Sequence, residues 1–266
     1  MTPSIQGVGA GPALDHCMGL IQPALRPTSP VIRNGYLDLI GAQAPPSTGR
    51  TQDLMLTSLV PTIYERWWRP GLGRIAKGLF GPGMEDEQVI ARRMLSMSAD
   101  DRVLDIACGT GNFSRSFARA VGSDGLVIGV DVSETMLARA VTDTRAARLD
   151  GVLAYLRASV LELPFEPGSF DGVCCFAALH LFEDPFAALE RMLATLRPGG
   201  RIAIFTSVRS RFAPLRPLDG LIAPVSGMKM FEPDEITTAL EQRGCGAIEQ
   251  RIAGLTQFVG GRLGQS

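Results

Sequence analysis

From Asp101 onward, short apolar runs alternate with helical stretches, and this alternation does most to limit what the chain can fold into. Residues 102–107, 126–130, 152–158, 172–176 and 201–206 read as strands. Between them, residues 112–121 carry Phe113 and Phe117 on one helical face, and residues 134–142 follow Ser133 as a helix N-cap. A further helix begins at Pro185 behind Asp184, and its apolar stripe is Phe186, Leu189, Met192, Leu193 and Leu196. Pro198-Gly199-Gly200 turns the chain into the fifth strand. Pro233 starts a last helix that stops near Gly244, and strands 247–252 and 255–259 flank Gly254. Strand–helix alternation of this kind implies a doubly wound α/β fold with helices on both faces of a mostly parallel sheet. The spacing predicts seven strands, with the closing hairpin adding a terminal antiparallel edge strand.

Three stretches fall outside this pattern. Residues 1–52 are rich in Gly, Pro, Ser and Thr and weakly periodic, which reads as an irregular extension with one short ordered island at 31–40. Residues 53–99 read as a helical cap: one helix starts at Pro61 and carries Ile63, Tyr64, Trp67 and Trp68, and a second spans 85–95. Residues 100–266 form the core, interrupted at 207–232 by an apolar, proline-broken insertion. A chain of 266 residues with 45% hydrophobic and 20% charged residues can bury a sizeable core. Its net charge of −1 gives no global cationic footprint for nucleic acid. No apolar run is long enough to span a bilayer, and Gly and Pro interrupt the start, so a cytoplasmic protein without stable membrane insertion is expected. The five cysteines include no CxxC pair, which points to reduced, mostly buried thiols and to no metal site.

The most informative stretch is residues 103–112, VLDIACGTGN: an apolar strand, a Gly-x-Gly turn and a helix start. Glycines let the backbone turn tightly and approach a ligand, and the helix N-terminus presents free N–H groups. Asp105 helps to choose the ligand. A dinucleotide would bring a pyrophosphate to this turn, where a carboxylate is unwelcome. S-adenosyl-L-methionine (SAM) brings an ammonium, which Asp105 can meet directly or through water. Asp131 ends the next strand, about 20 residues past Gly111, where an acid can accept both ribose hydroxyls.

These residues resemble the Rossmann-like, class I SAM-dependent methyltransferases, especially the branch similar to ubiquinone and menaquinone methyltransferases. The resemblance rests on residues 103–111, 127–136, 163–173 (LPFEPGSFDGV) and 187–204 (AALERMLATLRPGGRIAI). It implies that Asp105, Ala107, Gly109 and Gly111, with Cys108 inside the loop, hold the methionine part of SAM. Asp131 corresponds to the ribose acid, and Val132 and Met136 flank adenine. Ser159 stands where the family usually has an acid bonded to the adenine amino group, beside Val160. That exchange lowers affinity by about 1 kcal/mol. Tyr64-Glu65-Arg66-Trp67-Trp68 resembles the helix of bacterial and plastid quinone-methyltransferase-like proteins. Residues 34–39, NGYLDL, resemble the end of their zinc-ribbon segment, here a metal-free remnant because the ribbon cysteines are missing.

The acceptor side is less defined. Ala177 and His180 follow the fourth strand, at the edge where such sheets bind ligands; His180 is a candidate general base, set against the more common reading of a loop histidine hydrogen-bonded to backbone or packed under the next helix. No Asn-Pro-Pro-Tyr motif follows that strand, which argues against exocyclic or amide nitrogen as the target. Tyr64, Trp67 and Trp68 could form a lid or simply pack on the core. Phe212 and Met228, with the rest of the insertion, fit an acceptor wall for a lipophilic small molecule or a homodimer contact. The leading expectation is methylation of an oxygen or carbon of such a molecule. The alternatives are a SAM-binding or partner-binding protein without turnover and an NAD-dependent oxidoreductase, the last disfavoured by Asp105 and by Asn112-Phe113-Ser114 in place of a third glycine.

Overall fold

The computed structural model describes residues 11–41, 83–210 and 229–265. The expectations placed on Tyr64, Trp67, Trp68, Phe212 and Met228 lie outside the described residues. The described chain forms α1 (Pro12–Leu20), β1 (Ile32–Arg33), β2 (Tyr36–Asp38), α2 (Met84–Met94), β3 (Arg102–Ile106), α3 (Asn112–Val121), β4 (Leu126–Asp131) and α4 (Glu134–Ala146). There follow β5 (Leu153–Arg157), β6 (Phe170–Phe176), α5 (Pro185–Thr195), β7 (Leu196–Ser207), α6 (Glu235–Gln242), β8 (Cys245–Ala253) and β9 (Thr256–Leu263). Short 3-10 turns at Val160–Glu162 and Leu179–Leu181 complete the path.

All nine strands share one sheet, in the order β1-β2-β5-β4-β3-β6-β7-β9-β8. The strands from β2 to β7 in this order are parallel. The α/β class and the seven strands expected after residue 100 are present, and two features differ from the sequence reading. The antiparallel strand, β9, sits between β7 and β8 rather than at the edge. The sheet is also extended beyond β5 by β2 and its antiparallel partner β1, so residues 32–38 are part of it.

Residue alternation explains the layering. Leu104, Ile106, Ile128, Val130, Leu156, Val173, Ile202 and Ile204 face one side and pack with α1, α5 and α6. Val103, Val127, Tyr155, Cys174, Ala203 and Phe205 face the other and pack with α2, α3 and α4. Burial on both faces is why these strands read as continuous apolar runs. The crossover helices after β3 and β4 lie on the second face, whereas α5, after β6, lies on the first. The side of winding therefore changes between β3 and β6, which are paired neighbours. Such a change opens a crevice at the carboxyl ends of those strands.

The N-terminal region is more ordered than its composition suggests. Ala13, Leu14, Cys17 and Ile21 are buried in the first core, and Gln22 N–H donates to the Pro164 carbonyl (2.9 Å). The reading of residues 12–22 as irregular chain is thereby corrected: a one-sided stripe on a nine-residue helix pays for its ordering through burial against β4 and β5. Pro198-Gly199-Gly200 forms an irregularity inside β7 rather than a turn before it, since Leu196 already pairs with Phe170. Among the described residues, no helix is long and apolar enough to cross a membrane.

Candidate functional site

The turns that follow β3, β4, β5 and β6 gather at the carboxyl edge of the sheet, because these strands are parallel neighbours. Two non-glycine residues adopt left-handed backbone here: Ala107 (φ 54°) directly after β3 and Ala177 (φ 58°) directly after β6. An L-residue in this conformation costs roughly 1–2 kcal/mol, so neighbouring bonds must hold it. The Ala177 N–H donates to the Phe205 carbonyl (2.8 Å), and the Cys108 N–H donates to Val130 (3.0 Å).

The two glycines of the turn do different work. Gly109 has φ 55°, and a Cβ there would meet nothing within 4 Å, so its backbone faces open space. Gly111 has φ 73°, but a Cβ there would come within 2.1 Å of the Tyr155 hydroxyl. Tyr155 is buried beneath the turn, its hydroxyl 2.9 Å from Thr144 Oγ1. Gly109 leaves open space beside the turn, whereas Gly111 supplies room for a tyrosine. Arg115 braces the turn from α3, donating to the Thr110 carbonyl (2.6 Å) and to Asn112 Oδ1 (2.7 Å).

Asp105 is 2% exposed and engaged inward. Its Oδ2 accepts from Ser114 Oγ (2.5 Å) and its Oδ1 from Cys174 Sγ (3.4 Å). Of the two routes open to it in the sequence, direct contact with a ligand ammonium is not what this geometry offers. Asp105 ties the first turn of α3 to β3 and places negative potential under the crevice. Burial pushes its carboxyl up to about 6, against the lowering effect of the Ser114 and Cys174 bonds.

Asp131 is half-buried at the end of β4 and spans two turns. Its Oδ2 accepts from the Gly109 N–H (2.9 Å) and its Oδ1 from the Ser133 N–H (2.9 Å). Each carboxylate oxygen retains acceptor capacity for a diol. Burial raises the carboxyl above its ordinary value, opposed by the backbone N–H groups of Ser133, Gly109 and Val132. Ser133 caps α4, accepting from Met136 N–H. Val132 and Met136 are partly exposed beside it.

Ser159 is buried, and its hydroxyl oxygen accepts from the Leu161 N–H (3.2 Å), capping the 3-10 turn that begins at Val160. His180 is half-buried after β6, its Nδ1 3.3 Å from Thr206 Oγ1. Burial lowers its imidazole to about 4, so it is neutral at physiological pH. Its carbonyl accepts from Lys229 N–H (2.9 Å), and Lys229 Nζ bonds the Glu183 carbonyl, so the chain after the insertion is strapped across the end of β6. Asp184 is the N-cap of α5, accepting from Phe186 and Ala187 N–H.

Three residues at this site were not singled out from the sequence. Ser114 and Tyr155 read as ordinary helix and strand positions. Arg157 is the third. It ends an apolar strand, yet it is only 4% exposed, and a buried guanidinium requires partners. Its Nε donates to the Val132 carbonyl (3.1 Å) and its Nη1 to the Gly41 carbonyl (2.8 Å). Nη1 also lies 2.9 Å from Glu134 Oε1 and 3.3 Å from both Asp38 oxygens.

Known proteins similar to this chain include methyltransferases. Residues 103–200 match the family model described as a methyltransferase domain. An uncharacterised chloroplastic methyltransferase of Arabidopsis thaliana is 35% identical over 153 residues, covering 56% of this chain and 42% of that protein. The ubiquinone/menaquinone biosynthesis C-methyltransferase UbiE of Idiomarina loihiensis is 38% identical over 103 residues, covering 39% of this chain and 41% of its own length. The matched region thus spans less than half of each relative. A solved structure of a Haemonchus contortus phosphoethanolamine N-methyltransferase, in complex with phosphomonomethylethanolamine and S-adenosylhomocysteine, superposes with a TM-score of 0.60 at 18% identity. It covers 79% of this chain and 61% of that one, a likeness of fold.

Proposed function

We propose, for a chain that carries a class I SAM-dependent methyltransferase domain, that it methylates an oxygen or carbon of a small lipophilic acceptor. The observation that carries this reading is the pair of carboxylates that flank the open turn at Gly109: Asp131, which accepts from the Gly109 N–H, and Asp105, which accepts from Ser114 behind it. The residues present fit SAM: open space over Gly109 for the amino-acid end, Asp131 for the ribose diol, Val132 and Met136 beside adenine, with Ser159, Val160 and Ala177 completing the wall. When bound, SAM supplies an activated methyl whose carbon–sulfur bond breaks as the acceptor attacks, leaving a neutral thioether. The protein's part is to bind, align and exclude water, because well-oriented reactants need little more. A phenol or enol acceptor must also lose a proton. His180, whose Nδ1 lies 3.3 Å from Thr206 Oγ1, is the group we assign to accept it.

Oxygen and carbon remain joint candidates. We assign residues 207–232, with Phe212 and Met228, to acceptor binding, and Tyr64, Trp67 and Trp68 to a lid. A cytoplasmic address and a homodimer through the insertion belong to the same reading. A second reading, SAM binding without turnover, has one observation in its favour: an uncharged serine stands at 159, and its hydroxyl oxygen already accepts from the Leu161 N–H. The two separate in one assay. Methyl-labelled SAM is incubated with the protein and a panel of quinols, phenols and polyketides. Transfer of label supports the enzyme; tight binding with no transfer to any member supports the second reading. Binding of NADH but not SAM at millimolar concentration would remove both.

A further inference from the structure

The ends of β2, β5 and β4 hold a row of charge. Asp38 is in register with Arg157, and Arg157 with Asp131. Arg157 is the hub of this row. On one side it holds the Val132 carbonyl, one residue past Asp131, and pairs with Glu134 at the start of α4. On the other it holds Asp38 and the Gly41 carbonyl from the N-terminal segment. Asp38 in turn folds that segment around itself: Oδ1 accepts from Ile40 N–H (3.1 Å) and Gly41 N–H (2.9 Å), and Oδ2 pairs with Arg33 (2.8 Å). Leu39 N–H donates to the Arg157 carbonyl (3.1 Å). A planar guanidinium can serve several acceptors at once in a fixed geometry, which a lysine cannot.

We infer that Arg157 is a positioning residue for the adenosine end of the cofactor site, and that docking of residues 36–41 and cofactor binding are coupled through it. This rests on the SAM reading of the site. The coupling runs through backbone. Val132 lies between Asp131, which would take the ribose, and Ser133, whose N–H is one of the donors that orient the Asp131 carboxylate. Fixing the Val132 carbonyl fixes that short arc. The arc is fixed fully only while Asp38 holds the guanidinium in place, so the N-terminal segment acts as a brace for the ribose and adenine contacts, with no contact to the ligand itself.

The test is calorimetry with two ligands, S-adenosylhomocysteine and 5′-methylthioadenosine, which lacks the amino-acid end. Arg157→Met weakens binding of both by about tenfold or more, as loss of charge-assisted bonds implies. Asp38→Asn weakens both by roughly threefold or more, and the double variant is no worse than Arg157→Met within about twofold, because the two act as one unit. Asp105→Asn, by contrast, weakens S-adenosylhomocysteine selectively. Folded Arg157→Met with both affinities within about twofold of the unsubstituted protein overturns the proposal. So does an additive double variant. Hydrogen exchange on the unsubstituted protein gives a second readout that needs no substitution. The amides of Leu39, Ile40 and Gly41 slow by roughly threefold or more when S-adenosylhomocysteine saturates the site, and unchanged exchange there refutes the coupling. Failure of the unsubstituted protein to bind either ligand is seen before any substitution, and it sinks the cofactor reading together with this one.

Discussion

Replacing Gly111 by alanine puts a methyl group where the Tyr155 hydroxyl already lies. The added Cβ would sit 2.1 Å from that oxygen and 3.0 Å from Cζ, and the residue keeps a φ of +73°. Two costs follow. The left-handed backbone costs an alanine roughly 1–2 kcal/mol. Pushing the hydroxyl off Thr144 leaves buried polar groups unpaired, at about 1–3 kcal/mol. Together the substitution should lower stability by about 3 kcal/mol, read by urea unfolding followed by far-UV circular dichroism. The second cost depends on the hydroxyl, so it can be isolated. In a Tyr155→Phe background the 2.1 Å contact is gone and only the ring carbon at 3.0 Å and Arg115 Nη1 at 3.2 Å must give way, so Gly111→Ala should cost its backbone share and a smaller packing share. The coupling in this double-mutant cycle should therefore be about 2 kcal/mol. A coupling below about 0.5 kcal/mol would refute the claim that Gly111 is glycine because of Tyr155. Gly109→Ala should differ in kind: a stability loss of only about 1–2 kcal/mol, with a large loss of SAM affinity, because only open space surrounds it.

Other expectations follow from the carboxylates and the histidine. Asp105 titrates near its ordinary 3.8 when unfolded and at about 6 when native. Between those values the native state binds more protons, so Asp105 makes stability fall as pH rises from about 4 to about 6, by about 3 kcal/mol in all, and the effect levels off above that. Denaturant unfolding of the protein and of Asp105→Asn over this range should show that slope in the first and its loss in the second; parallel curves would contradict it. Asp131→Ala removes the acceptor of two backbone N–H groups as well as the ribose ligand. It should weaken S-adenosylhomocysteine by about 2–3 kcal/mol, and unchanged affinity by calorimetry would remove Asp131 from the site. His180→Gln should slow methyl transfer to a phenolic acceptor by about a hundredfold with little change in SAM affinity. Because His180 titrates at about 4, the rate of the unsubstituted protein should not rise between pH 6 and 8 on its account. Equal rates for both proteins would remove His180 from the chemistry.

The core strands were legible because burial on both faces leaves continuous apolar runs, and the caps at Ser133 and Asp184 because short polar side chains before helices have one main use. The candidate-site acids, Asp105 and Asp131, stand out in the sequence because a carboxylate near the end of an apolar strand is conspicuous. The N-terminal region was not. In α1 only Ala13, Leu14 and Cys17 are buried, between Gly11 and Gly19, and the helix lacks a side-chain cap. Its order comes from β4 and β5, more than a hundred residues away, which no local pattern records. The same holds for Arg157. Nothing near it in sequence announces a carboxylate, since its partner Asp38 is 119 residues earlier. The role of Gly111 was obscured for a different reason: a glycine required for close approach and one required for a buried tyrosine look alike in sequence.

The pairing of β2 with β5 has a consequence for how the protein is made. Residues 12–38 leave the ribosome before their burial partners on β5, Leu153–Arg157, which are polymerised more than a hundred residues later. At roughly 5–20 residues per second, the N-terminal hairpin waits roughly 6–24 s before its neighbour exists. During that interval Leu14, Ile21, Tyr36 and Leu37, all buried in the finished protein, have no sheet to cover them. The nascent chain should therefore offer these residues to chaperones as one early client segment, released when the fifth strand emerges.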